Sequence, residues 1–165
     1  MMSVLIETRN HEDALGRTLA SLVPAAVEGL VREVIVCDLG STDQTHRVAD
    51  HAGCHYVASG GLRQGIRQAK GEWLLILEPG SRLLDGWMEP VIEHIQRQTI
   101  PARLTRTRTG QKALLSRLFG GRQPLSEGLI VSKPQAIARN APDGPALARA
   151  LSARRLPAGI SPASA

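Results

Sequence analysis

Aromatic side chains are almost absent from this chain: two tryptophans, one tyrosine and one phenylalanine occur among 165 residues. That scarcity removes the stacking platforms on which single-stranded nucleic acid is bound, so a nucleic-acid partner is not expected. Only two cysteines are present, Cys37 and Cys54, with no C-x-x-C pair. A disulfide scaffold is therefore excluded, and reduced core thiols of a cytoplasmic protein are expected. The five histidines are scattered without metal-ligand spacing. The longest unbroken apolar run, Trp73–Leu77, has 5 residues, far short of the ~20 that a membrane-spanning helix needs. No basic segment precedes an apolar stretch at the N-terminus, so no signal peptide is expected. Acidic residues are missing between His94 and Ser126, where Arg97, Arg103, Arg106, Arg108, Lys112, Arg117 and Arg122 all fall.

What is present fits a folded domain. The chain is 42% hydrophobic, carries a formal charge of +5 and has a pI near 10.0, which favours anionic partners such as nucleotides or a phospholipid surface. Over the first hundred residues, short apolar runs alternate with segments of helical period. Strands are expected at residues 3–8, 33–38, 54–58 and 73–77. Helices are expected from Asn10 to Pro24, over 42–52 and 61–70, and after Asp85. Further on, strands at 102–108 and 128–132, a helix at 111–119 and a helical turn at 134–139 complete the pattern. Strand–helix alternation with short connections implies an α/β fold: one doubly wound, mostly parallel, Rossmann-like sheet with helices on both faces. Residues 1–139 are expected to form the domain and 140–165 an irregular tail, disordered from 156, because Pro, Ala, Gly and Arg dominate there without a period.

The run Val34-Ile35-Val36-Cys37-Asp38-Leu39-Gly40-Ser41-Thr42-Asp43 carries the most information. A β-branched strand ends on Asp38, turns through Leu39-Gly40 and enters a helix. Open α/β sheets bind ligands beyond the carboxyl ends of their strands, which is where Asp38 falls. Ser41 and Gln44 have capping-box spacing, and Asp43 suits the positive end of the helix dipole. Asp38 has two readings: it contacts a ligand, or it only bonds the backbone of its own turn.

Four stretches together resemble glycosyltransferase family 2, the nucleotide-diphospho-sugar transferases of the GT-A fold. They are Ser3-Val4-Leu5-Ile6-Glu7-Thr8-Arg9-Asn10; the Asp-x-Gly-Ser-x-Asp turn of Asp38 to Asp43; Gly65, Ala69, Gly71 and Trp73 leading into the apolar run; and Ser81-Arg82-Leu83 with Gly86-Trp87. The resemblance covers about residues 2–98, the nucleotide-binding part. It implies that Asp38 meets the nucleotide base, that Thr8 and Arg9 border the same site, and that Glu78 holds a cation or a ribose hydroxyl. The family ends its fourth strand with Asp-x-Asp; here Glu78-Pro79-Gly80 stands in that place, leaving Glu78 as a weak site for Mg or Mn. Arg9 and Arg63 replace an aromatic residue and an asparagine of the family, and as arginine forks they suit diphosphate oxygens. No catalytic base is identified, since Glu127 is the only acid between Glu93 and Asp143.

The implied activity is transfer of a sugar from a nucleotide-diphosphate sugar to an acceptor. The alternatives are a catalytically inactive nucleotide-sugar-fold protein serving as a binding or regulatory module, and a basic peripheral-membrane module. For the last, residues 94–126 could meet an anionic membrane, at the inner face of a cell's membrane, through the basic amphipathic segment at 111–119. The competing view of that segment is an ordinary packing stripe beside a solvated basic face.

Overall fold

A computed structural model describes residues 1–107 and 123–163. In chain order the elements are β1 (Met2–Thr8), α1 (Glu12–Val27), β2 (Val31–Asp38), α2 (Thr45–His51), β3 (His55–Val57), α3 (Gly61–Gln68), β4 (Trp73–Leu77), β5 (Arg82–Leu83) and α4 (Met88–Arg97). Then follow β6 (Ala102–Arg106), β7 (Leu129–Ser132), α5 (Lys133–Arg139), α6 (Gly144–Ala150) and β8 (Arg154–Ser161). All eight strands join one sheet in the order β3-β2-β1-β4-β7-β6-β8-β5. The pairs β3–β2, β2–β1, β1–β4 and β6–β8 are parallel, while β7 and β5 run against their neighbours. This is the expected mostly parallel, doubly wound α/β sheet.

Two cores lie on its two faces. Val4, Ile6, Leu75 and Leu77 pack against Leu15, Leu19 and Leu22 of α1, Ala49 of α2 and Val91 of α4. The intervening Leu5, Leu74 and Ile76 pack against Leu62 and Ile66 of α3, Ala136 of α5 and Leu147 of α6. The period of two along a strand sends neighbours to opposite faces, and a strand covered on both sides has no polar position to spare. Helix α3 lies especially close. A methyl group at Gly65 would collide with the Cys37 sulfur and touch Leu5 at 3.2 Å, so this position admits no side chain. Trp87, 3% exposed, is a core anchor.

Several expectations change. Helix α1 runs through Pro24 to Val27 instead of stopping. The lost proline N–H would have met the carbonyl of Ala20 on the exposed side, where water can serve, while Leu22 and Ala25 stay buried. Asn10 does not cap α1, and Ser41 forms no capping box with Gln44; the N-caps are His11 and Gln44, without side-chain cap bonds. Within the segment expected to be an irregular tail, residues 140–163 are ordered into regular elements. They supply α6 and β8, and Leu156, Ala158 and Ile160 are at most 5% exposed. Arg154 and Arg155 open β8, and Pro157 with Gly159 occupies alternate positions between the buried ones. The apolar alternation was thus carried by only three residues and hidden by poor strand formers. The expected helix at 111–119 lies outside the described residues, as do Arg108, Lys112, Arg117 and Arg122 of the basic stretch. Among those described, Arg106 is exposed, Arg97 pairs with Glu93, and Arg103 turns inward to the carbonyls of Ala148 and Leu151.

Because Ile160 is fully buried between β6 and β5, Ile160→Ala should lower the unfolding free energy by about 2–5 kcal/mol in a urea titration. A change below about 0.5 kcal/mol, as at an unpacked surface site, would remove β8 from the fold.

Candidate nucleotide site

The strand order reverses between β1 and β4: β2 and β3 extend to one side, and the chain returns through α3 to add β4 on the other. The lip formed by the carboxyl ends of β1, β2 and β4 is therefore the place where such sheets bind ligands. Thr8 and Asp38 face each other in register at the ends of β1 and β2, and the Leu39 amide donates to the Thr8 carbonyl at 2.9 Å. Glu78 follows the last residue of β4.

Asp38 does close its own turn. Its Oδ2 accepts from the Gly40 amide at 3.1 Å and the Ser41 amide at 2.8 Å, and its Oδ1 accepts from the Ser41 hydroxyl. Burial works against its charge, but the Ser41 hydroxyl and amide, the Tyr56 hydroxyl and the Gly40 amide outweigh it, holding the carboxyl below the usual carboxylate range. At 4% exposure the carboxylate is ionised, fixed and nearly covered. A ligand would reach only what its turn leaves free.

The loops after β1 and β2 are fastened to each other. The Asn10 amide donates to Ser41 Oγ (2.9 Å), and the Thr42 amide donates to Asn10 Oδ1 (2.7 Å). The Glu12 amide donates to Asp43 Oδ2 (3.2 Å), while the Gln44 amide donates to Glu12 Oε2 (2.7 Å). Each acidic side chain thus takes up an orphan amide at the start of the other's helix. Asn10, with φ of 55°, adopts the left-handed backbone that asparagine tolerates. Asp43, expected to serve its own helix, also accepts from Thr45, so it serves both.

Beneath the lip, Glu7 is a residue whose role the sequence did not disclose. Its Oε1 accepts from the Leu62 amide (3.1 Å) and its Oε2 from the Gly144 amide (2.8 Å), joining the first turns of α3 and α6. Burial raises its carboxyl above the usual range, the Gly144 and Leu62 amides oppose the rise, and Asp143 adds to it. No local signal could have found this, because its partners lie 55 and 137 positions away.

The two expected arginines part ways. Arg9 is exposed at the lip, and no hydrogen bond engages its guanidinium among the described residues. Arg63 is tied elsewhere: Nη2 donates to the Asn140 carbonyl at 2.9 Å, and Nε donates to the Asn140 and Ala141 carbonyls at 3.2 Å each. Asn140 is the left-handed C-cap of α5, where carbonyls lack helical partners. Arg63 is therefore a brace between α3 and α5, and meeting a diphosphate would require releasing it.

Glu78 is half-buried, burial raises its carboxyl above the usual range, and its side chain has no hydrogen-bond partner among the described residues. The turn after it explains the broken acidic motif. The Ser81 amide donates to the Glu78 carbonyl at 3.1 Å, Pro79 sits where a fixed φ is favoured, and Gly80 has φ of 97°. A Cβ at Gly80 would also lie 3.1 Å from Ala163 Cβ, just beyond β8. The second carboxylate is thus excluded by backbone conformation and by the returning chain. Glu127, the one acid between Glu93 and Asp143, receives Arg155 Nη2 at 3.0 and 3.2 Å.

Gly80→Asp should accordingly cost about 1–3 kcal/mol of stability from the forced positive φ, measured by chemical denaturation, without raising manganese affinity in a calorimetric titration. Unchanged stability with tighter metal binding would refute this account of the turn.

A sequence model described as Glycosyl transferase family 2 matches residues 3–118. A TPR repeat-containing protein of Synechococcus elongatus is 32% identical over 133 residues, covering 73% of this chain and 32% of its own length. The chain therefore spans about a third of that curated relative. Among solved structures, glucosyl-3-phosphoglycerate synthase of Mycobacterium tuberculosis, in complex with Mn2+, UDP and glucosyl-3-phosphoglycerate, superposes with a TM-score of 0.67 at 20% identity. That match covers 100% of this chain and 72% of the synthase. Mannosyl-3-phosphoglycerate synthase of Rubrobacter xylanophilus gives a TM-score of 0.61 at 19% identity, covering 82% and 55% respectively. These structures share the fold, and the family model, which matches more than half of the chain, decides the family: the chain belongs to glycosyl transferase family 2.

Proposed function

We propose that the chain binds a nucleotide-diphosphate sugar across the carboxyl ends of β1, β2 and β4 and transfers the sugar to an acceptor hydroxyl. The carrying observation is Glu78: a half-buried carboxylate without a partner among the described residues, at the reversal of the strand order. A carboxylate left unbonded while partly desolvated is costly to the fold alone, and a ribose hydroxyl or a cation would satisfy it. Asp38 supplies a fixed negative acceptor for a base N–H, Thr8 borders it, and Arg9 offers an exposed cation to the diphosphate. The complex of the mycobacterial synthase with UDP makes uridine diphosphate the first nucleotide to test.

In sugar transfer the acceptor oxygen bonds the anomeric carbon as the bond to the diphosphate breaks, and the diphosphate leaves with the electron pair. Its charge must be met by protein or metal. The residues present do not build a full metal clamp. Glu78 is a single carboxylate, Gly80 excludes the second, and no group of three His, Cys, Asp or Glu side chains converges among the described residues. A cation held by Glu78 and the diphosphate itself would be weak. Arg9 takes a correspondingly larger share of the charge.

A second reading, binding without turnover, is favoured by the closed turn at Gly80 and by the pairing of Glu127 with Arg155. Release of free sugar or transferred product from UDP-sugars separates the two.

Uridine diphosphate should raise the melting temperature by mass action, and Asp38→Ala should remove the shift while the protein stays folded. Affinity should rise less than about a hundredfold, roughly 2.8 kcal/mol, on adding manganese, and Arg9→Ala should weaken it with or without metal. No response to any nucleoside diphosphate at millimolar concentration would refute the proposal; a larger metal effect would refute the charge argument.

A further inference from the structure

His11 occupies the N-cap of α1, a position that usually carries Ser, Thr, Asp or Asn, yet its side chain caps nothing. The capping task has passed to Asp43, which takes the Glu12 amide from across the loops. The imidazole instead turns back over the end of β1. Its Nδ1 lies 3.2 Å from the Arg9 amide and 3.4 Å from the Thr8 hydroxyl. An amide can only donate, so Nδ1 is the acceptor and carries no proton. The ring proton then resides on Nε2. His11 is exposed, and no hydrogen bond engages Nε2 among the described residues.

We propose that His11 is a ligand-binding residue of the site, presenting Nε2–H as a fixed donor to an acceptor oxygen of the nucleoside diphosphate. The inference rests on the nucleotide-binding reading and deepens it. Thr8, beneath the ring, faces Asp38 in register, so the donor stands on the β1 side of the lip while Asp38 offers an acceptor on the β2 side. Such a pair discriminates by complementarity: a nucleotide must bring an N–H to one edge and an oxygen to the other. The backbone bond from Arg9 orients the ring before any ligand arrives, so little side-chain entropy remains to be lost on binding.

Two substitutions separate binding from local structure. His11→Asn keeps an acceptor near the Nδ1 position for the Arg9 amide, and a residue suited to an N-cap, but removes the Nε2 donor. His11→Gln places an amide N–H2 near the Nε2 position. Calorimetric titration of the full chain with uridine diphosphate should show roughly a tenfold loss for His11→Asn, about 1.4 kcal/mol. His11→Gln should recover part of it, and both variants should melt within a few degrees of wild type. Titrations with uridine and with pyrophosphate locate the oxygen: a loss confined to uridine places it on the nucleoside, and a loss confined to pyrophosphate on the diphosphate. Equal affinity of His11→Asn and wild type, where Asp38→Ala abolishes binding, overturns this inference and leaves the nucleotide reading intact. Failure of wild type to bind any nucleoside diphosphate overturns both.

Discussion

The carboxylate of Glu7 is the constraint on which the arrangement around the site depends. It sits one residue before the end of the central strand β1 and takes one amide from α3 and one from α6. Those helices belong to distant parts of the chain, and their first turns expose amides that need partners. One partly buried acid satisfies both. Burial makes its charge expensive, as the raised carboxyl shows, and two helix N-termini offset that cost through their hydrogen bonds and partial positive charge. The result fixes α6, and through the C-terminal stretch β8, against the half of the sheet that carries Asp38.

Polar fastening of this kind recurs where the loops after β1 and β2 meet above the sheet. Asn10 and Glu12 bond the turn after β2, and Ser41 and Asp43 bond the turn after β1. Apolar packing cannot place loops so closely, because their backbone amides would be left unbonded at the surface of the core. Reciprocal side-chain acceptors solve that problem. The bonds that close the turn of Asp38 also hold its carboxylate in place and favour its charge against burial.

The loss of the second acidic ligand is then a property of the whole fold. Gly80 carries a positive φ, its amide donates to Thr18 on α1, and Ala163 packs on the side where a Cβ would project. Two distant parts of the chain, α1 and the stretch after β8, converge on that turn. An aspartate there would meet backbone strain and crowding together.

Much was legible in the sequence by itself. The β-branched and apolar runs at 34–38 and 73–77 marked two central strands, and the Asp38 turn marked the lip. In each case the signal is local: a period, a turn residue, a short motif. Tertiary structure decided the rest. β8 was hidden because only Leu156, Ala158 and Ile160 carry its alternation, and it is stable by pairing with β6 and β5. Arg63 has the chemistry of a phosphate ligand, but Asn140 and Ala141 lie 77 and 78 positions away and claim it first. Glu7 carried no local signal of its role and is a clamp between α3 and α6. Hydrogen bonds between residues so far apart leave no periodic trace in the sequence, since only the fold brings donor and acceptor within reach.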